Sequence, residues 1–350
     1  MATVDNIPHR GLLRSMLADT SRTFALNIPL LPSKLYWSVL VSYLVCRILD
    51  TVEDAENLSS EVKSELLRGF TLFLECSDNS SWPTWKATFF SYAPKGTSAD
   101  LILLAHLEEV LEAYWALPPN LREATRKPIS RMAFGMQEFT AVFARARKLS
   151  QPYPLESFQN LDRYCYYVAG TVGELLTACF CLELNKNFER RDYLNRRAVS
   201  FGLTLQLVNI IKDYKKDHKR GVCFIPRALI EERGNPDSVI LFDLVPRILV
   251  EAQKALEYVH GLSRRNIGVR LFCLWPLWLA MATVEKICHS NTYSESTDDL
   301  SRKISKWCLI KTLFRVSCIS WSKILLQRDF RMSQQRIERY QKLAAERGTL

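Results

Sequence analysis

Two short acidic turns, each at the end of an apolar run, are the residues of this sequence best suited to chemistry. The stretch 201–226 reads FGLTLQLVNIIKDYKKDHKRGVCFIP, with no Gly or Pro between Leu203 and Arg220 and apolar residues at helical spacing. On a helix Gln206, Asn209, Asp213 and Asp217 stand at i, i+3, i+7 and i+11, so two amides and two carboxylates share one stripe. Leu205, Leu207, Val208, Ile210 and Ile211 pack around that stripe. A polar stripe on an otherwise apolar helix either faces water or lines a cavity where it binds something. Oxygen ligands with two carboxylates one turn apart suit Mg2+, which takes one or two carboxylates and leaves its other positions to water and phosphate.

The stretch 40–57, LVSYLVCRILDTVEDAEN, answers it. Asp50 and Asp54 are again i, i+4, with Glu53 beside them and Arg47 one turn earlier on the same face. Such a turn by itself is usually a solvated helix face. Two of them, each after a long apolar run and each with further polar residues in register, favour a pair of helices facing each other across a cavity and holding several Mg2+ ions.

The elements that must carry these turns are helical throughout. A chain of 350 residues with 48% hydrophobic content and only 12 Gly is a globular, helix-rich protein with a large core. The ten Cys form no CxxC pair, which argues against a zinc site or a disulfide framework and for a reducing, cytoplasmic compartment. Of the +10 net charge, most lies in residues 301–350, where 12 Lys/Arg meet three Asp/Glu. The rest of the chain is close to neutral, which speaks against a nucleic-acid groove across the core.

Helices are expected over 61–76, 101–117, 119–148, 164–181, 236–263 and 266–288, with 77–99 (SWPTW at its head) as a connector. The most apolar run, LFCLWPLWLAMATV at 271–284, has 14 residues, short of the roughly 20 a bilayer needs, and reads as a core helix. Residues 306–326 alternate Trp307, Ile310, Phe314, Ile324 and Leu325 with Lys306, Lys311, Arg315 and Lys323. That pattern suits a helix packed on the body or, less favoured, a basic amphipathic helix on an anionic membrane. Residues 1–10 are expected to be flexible, 11–330 to form one all-α domain, and 331–350 to be a basic, exposed tail helix. Peripheral contact with a membrane surface would run through this basic C-terminal region.

Five segments in order resemble the squalene/phytoene synthase family, the head-to-head prenyl transferases: TSRTFALNIPLLP at 20–32, DTVED at 50–54, YCYYVAGTVGELL at 164–176, NIIKDYKKD at 209–217 and RGVCFIP at 220–226. The resemblance spans residues 19–278. It implies a single-domain all-α isoprenoid synthase fold around an apolar cavity. It further implies that Asp50, Glu53, Asp54, Asn209, Asp213 and Asp217 ligate Mg2+. Ser21, Arg22, Thr23, Arg47, Gln206, Asn209 and Lys212 would grip the diphosphates, with Phe24 on a prenyl chain and Tyr164 near the reacting carbons. On pattern alone, Asp19 or Thr20 could equally cap a helix. The reaction implied joins two farnesyl diphosphates through a cyclopropylcarbinyl diphosphate to squalene, with NADPH as reductant. A phytoene or dehydrosqualene synthase without NADPH, a cyclising terpene synthase and a non-catalytic scaffold are the alternatives. Two departures stand out: Lys212 where the family usually has Arg, and, in the region of the cofactor's basic pair, Lys303 followed by Ser305.

Overall fold

The computed structural model describes residues 6–75, 82–183, 188–292 and 304–347, and every regular element among them is a helix. The chain divides into two compact units. The first comprises Met1–Ala144 and Thr171–Asp192, the second Arg145–Gly170 and Tyr193–Leu350.

In the first unit, α1 (Arg10–Thr20), α2 (Arg22–Asn27), α4 (Ser60–Glu75), α6 (Ala99–Ala105), α7 (Leu107–Trp115) and α10 (Thr171–Glu183) gather with α3 (Ser33–Asp54). Helix α3 touches α1, α4, α6, α7 and α10. It buries Leu35, Val39, Leu40, Val41, Leu44, Val45, Ile48 and Leu49, so it is apolar nearly all round, as a helix enclosed by others must be. Its last turn carries the first acidic motif, fixed in place by this enclosure.

The expected connector at 77–99 contains a helix, α5 (Trp82–Tyr92). Trp85 anchors it: the ring stacks on Phe73 (5.7 Å between centroids, 7°), meets Phe70 and Phe89, and donates to the Leu66 carbonyl at 3.3 Å. A Cβ on Gly69 would lie 2.1 Å from the Trp85 ring, so Gly69 leaves the gap that lets α5 dock. Ser- and Pro-rich flanks disguised the helix, whose stability comes from tertiary aromatic packing. Helix α8 (Pro119–Lys148) begins in the first unit, and its Arg131 pairs with Glu174 of α10 at 2.7 Å.

The second unit holds α9 (Phe158–Cys165), most of α11 (Phe188–Lys219), α12 (Arg227–Arg233), α13 (Pro236–Val239), α14 (Val245–Gly261), α15 (Ile267–Thr292), α16 (Lys306–Ile319) and α17 (Lys323–Arg347). The apolar run at 271–284 lies within α15, close to the helix expected over 266–288; its 26 residues are long and apolar enough to cross a bilayer, although the run itself packs as the core helix expected. Helix α3 and the run Phe158–Glu183 also pass that test of length and composition. In this structure α15 packs against α14, α16 and α17 and buries Phe272, Leu274, Leu277, Met281, Val284 and Ile287.

The sequence read 306–326 as one helix and 331–350 as an exposed tail. The structure instead breaks the first at Ser320 and starts the last helix at Lys323. Helix α17 is not simply exposed: Leu326, Phe330, Ile337 and Ala344 are buried, and Arg336 makes a two-pronged pair with Glu285 at 2.6 and 2.9 Å.

Candidate active site

In the first unit, the end of α3 gathers charge. Arg47 donates from Nε and Nη2 to both carboxylate oxygens of Asp100 at 2.9 and 2.8 Å, and its Nη1 lies 3.9 Å from Asp50. Asp100 sits in the first turn of α6, behind the Ser98 cap. Burial alone would lower the Arg47 pKa, but Asp100 and Asp50 hold it above the ordinary value. Asp50 keeps 34% of its side-chain surface, yet desolvation pushes its pKa up to about 7. Asp54 and Asp100 add to that rise and Arg47 opposes it. Glu53 is likewise pushed well above the usual carboxylate range, by burial first and then by both aspartates; its Oε1 is buried without a hydrogen-bond partner. Its carbonyl accepts from the buried Lys63 ammonium at the head of α4. Asp54 is exposed.

Just upstream, Ser21 caps α2 by accepting from the Phe24 amide at 3.2 Å. Thr20 closes α1 through the Met16 carbonyl. The cap is therefore Ser21, and not Asp19 or Thr20. Phe24 leans on Tyr43 of α3 (4.8 Å, 42°), and the Tyr43 hydroxyl reaches Thr20 at 3.5 Å. Burial raises the Tyr43 pKa, while Thr20, Arg47 and Ser21 lower it. Tyr43 thereby links the 20–24 segment to Arg47 and Asp50 on one helix. Arg22 and Thr23 are exposed.

In the second unit, α11 presents Gln206, Asn209, Asp213 and Asp217 on a partly exposed to exposed stripe, while Leu207, Val208, Ile210, Ile211 and Tyr214 are buried. Lys212 donates to Asn209 Oδ1 at 2.9 Å and lies 3.2 Å from Asp213 Oδ2. The Tyr214 hydroxyl donates to Asp237 at 2.9 Å, tying the helix to α13. The helix ends at Gly221, whose φ of 76° suits glycine, and the chain turns back with Val222 donating to the Asp217 carbonyl. Cys223, Arg227 and Ala228 then donate to the carbonyls of Pro152, Leu155 and Glu156. This lays Phe224 flat on Tyr164 (4.8 Å, 14°), a ring only 6% exposed.

The run that carries Tyr164 is not a regular α-helix. A π-helical turn at Tyr166–Gly170 follows α9 and shifts the register of the run. The small residues there serve close approach: a Cβ on Gly202 of α11 would lie 2.1 Å from the Ala169 carbonyl. Among the described residues, no group of three or more His, Cys, Asp or Glu converges as a ready-made metal cage.

The squalene/phytoene synthase family model matches residues 17–307. The chain belongs to that family. Squalene synthase of Schizosaccharomyces pombe is 31% identical over 298 residues, covering 81% of this chain and 61% of the relative. Squalene synthase 10 of Panax ginseng is 31% identical over 300 residues, 81% of this chain and 65% of the relative. The match thus spans less than two thirds of these relatives' own length. The structure of TcSQS with the ligand BPH1237 superposes with a TM-score of 0.72 at 22% identity, covering 95% of this chain and 96% of that one. A dehydrosqualene synthase complex gives 0.53 at 19% identity, over 88% and 95%. These likenesses establish the all-α fold.

For a member of the squalene/phytoene synthase family, the donor set fits magnesium. Mg2+ seldom takes an all-protein cage and leaves positions to water and phosphate. Carboxylates pushed upward first by burial and then by one another, with an orphaned Glu53 oxygen among them, form a place where a divalent cation would relieve both costs. NADPH finds no comparable support. Lys303 lies outside the described residues, and Ser305 caps α16 by accepting from the Cys308 amide at 3.2 Å. Sequence reasoning missed Asp100, Tyr43 and Phe224. The Ser98–Ala99–Asp100 helix start signalled a capped terminus, but nothing in the sequence tied it to Arg47.

Proposed function

We propose that this protein catalyses head-to-head condensation of two farnesyl diphosphates, through a cyclopropylcarbinyl diphosphate, to a C30 hydrocarbon, squalene in the reductive case. Family membership joined to two intact acidic turns, DTVED on α3 and NIIKDYKKD on α11, is the observation that carries this reading.

Asp50, Asp54, Asp213 and Asp217, with Glu53 and Asn209, are the residues that would hold magnesium. When bound, the metal supplies positive charge to the diphosphate leaving group. Arg47 and Lys212 add charge-assisted hydrogen bonds to diphosphate oxygens, Ser21, Arg22 and Thr23 contribute to the grip, and Gln206 orients the polar stripe. As the C1–O bond of the first substrate breaks, the electron pair leaves with diphosphate. The allylic cation is then attacked by the double bond of the second substrate, and loss of a proton closes the cyclopropane. Tyr164 supplies a ring face for cationic carbon and a hydroxyl for proton transfer. Phe24 packs along a prenyl chain. Asp100 acts on the same step by holding the Arg47 guanidinium fork before substrate arrives.

In a second reading the cyclopropylcarbinyl diphosphate ionises, the second diphosphate leaves with its electron pair, and the rearranged cation loses a proton to give a dehydrosqualene- or phytoene-type triene. This reading draws on one observation. The position where the cofactor's second basic residue would stand is Ser305, and its hydroxyl is engaged as a helix cap.

One assay decides. Purified chain is given Mg2+ and farnesyl diphosphate, with and without NADPH, and the hydrocarbon is identified by mass spectrometry. A C30 alkene that needs NADPH supports squalene formation, and a triene formed without NADPH supports the second reading. No turnover with either farnesyl or geranylgeranyl diphosphate refutes both.

A further inference from the structure

Helix α16 is amphipathic the wrong way round for a helix that only packs on the body. Its inner face carries the small or polar Thr312 and Ser320 and the single aliphatic Val316, all buried. Its outer face carries Trp307 (81% exposed), Ile310 (57%) and Phe314 (73%), and the following turn adds Trp321 (61%) and Ile324 (80%). Residues 307, 310 and 314 fall on one helical stripe, so the large apolar groups form a continuous ridge. The hydrophobic effect drives such side chains out of water, and an outward ridge of this size marks a surface that meets something else.

The charge around the ridge selects the partner. Exposed Lys306, Lys311, Arg328 and Arg331 flank it. From 304 to 331 the single acidic residue is Asp329. That carboxylate is turned inward, bonded to Trp278 at 2.6 Å and paired with Arg315 at 3.0 Å. At Ile324 an open cleft of about 600 Å3 is lined by His260, Lys323, Arg328, Arg331 and Met332. A second copy of this face would set cation against cation. An aromatic ridge rimmed by cations, with a cationic cleft of headgroup size beside it, matches a layer of acyl chains under anionic headgroups.

We propose that α16 and the first turn of α17 form a docking surface for anionic phospholipid membranes. Trp307, Phe314 and Ile324 enter the interface while Lys306, Lys311 and Lys323 contact lipid phosphate. This surface needs nothing from the prenyl-transfer reading, and a lipid-binding measurement leaves that reading untouched.

The test is flotation of the full chain with phosphatidylcholine vesicles containing or lacking phosphatidylserine, at low and high salt. The expected result is salt-sensitive binding to the anionic vesicles. The triple variant Trp307→Ser, Phe314→Ser, Ile324→Ser should lose about tenfold or more in partitioning, and Lys306→Gln, Lys311→Gln, Lys323→Gln should lose both affinity and salt dependence. All three apolar side chains are more than 70% exposed, so circular dichroism and thermal melting of that variant should match the parent. Quenching of tryptophan fluorescence by brominated lipid should be weaker without Trp307. Absence of binding to anionic vesicles at low salt overturns the proposal, as does unchanged binding by the apolar variant. It is equally overturned by a concentration-dependent dimer, seen by sedimentation, that the apolar variant abolishes, because the ridge would then be an interface between copies.

Discussion

Arg47 shows how much one residue's role depends on a partner distant in sequence. Its position on the acidic face of α3 is visible in the sequence, but its fork is taken by Asp100, and only Nη1 is turned toward Asp50. Asp100→Asn should therefore disturb turnover through Arg47: a raised KM with helicity unchanged is expected, and Arg47→Lys should fare worse because an ammonium cannot make the two-pronged contact. Steady-state kinetics with farnesyl diphosphate checks both. Asp50→Asn and Asp213→Asn should each lower kcat by at least about a hundredfold while the far-ultraviolet circular dichroism stays the same. Near-parental turnover in both would remove the metal role from these positions. Binding can be read without activity: Mg2+ and pyrophosphate together should raise the melting temperature by several degrees, and neither variant should respond as strongly.

Among the helices, four devices hold the scaffold, and three of them escape any reading of local pattern. Arg270 is fully buried in α15 and, among the described residues, bonds to backbone carbonyls and to no carboxylate. It donates to the carbonyls of Val259, Leu262 and Ser320, closing the C-terminal ends of α14 and α16 at once. Arg270→Met should cost on the order of 3 kcal/mol in urea denaturation, because buried carbonyls lose their donors, and Arg270→Lys should recover only part of it. Trp85→Ala should cost about 3–5 kcal/mol and loosen α5, because that ring carries both the aromatic cluster and the hydrogen bond to Leu66 that hold it on α4. Gly202→Ala drives a methyl group into the Ala169 carbonyl, so a loss at or above the upper end of about 1–3 kcal/mol is expected. The fourth device is the α15–α17 pairing through Glu285 and Arg336, whose partners could be anticipated in kind though not in identity.

Across the whole chain, charge and pH set the remaining behaviour. His260 is held down to about 4 by burial first, then by Lys323 and Arg270, with Arg264 adding and Glu257 opposing. A histidine whose folded pKa lies below its unfolded value binds more protons when unfolded. Its share of stability is therefore complete above about 6.5 and lost as pH falls toward 4. Thermal melts between those limits should show a downward slope that His260→Gln flattens. No disulfide forms among the described cysteines, and burial raises the thiol pKa of Cys46, Cys165, Cys179, Cys223, Cys273 and Cys288. Thiol reagents should reach Cys318, which is exposed, and spare these six in the folded protein.

Residue spacing by itself determined the all-helical class, the acidic turns and the polar stripe of α11, because helical periodicity is a local property and five motifs in order leave little ambiguity about the family. Tertiary structure decided what local pattern cannot carry. It gave Arg47 its partner on α6, laid Phe224 on Tyr164, broke the register before Thr171 with a π turn, and turned a Ser- and Pro-rich stretch into a docked helix. It also set which side of α16 faces outward, since an amphipathic pattern shows that a helix has two faces and only its neighbours determine which one meets water.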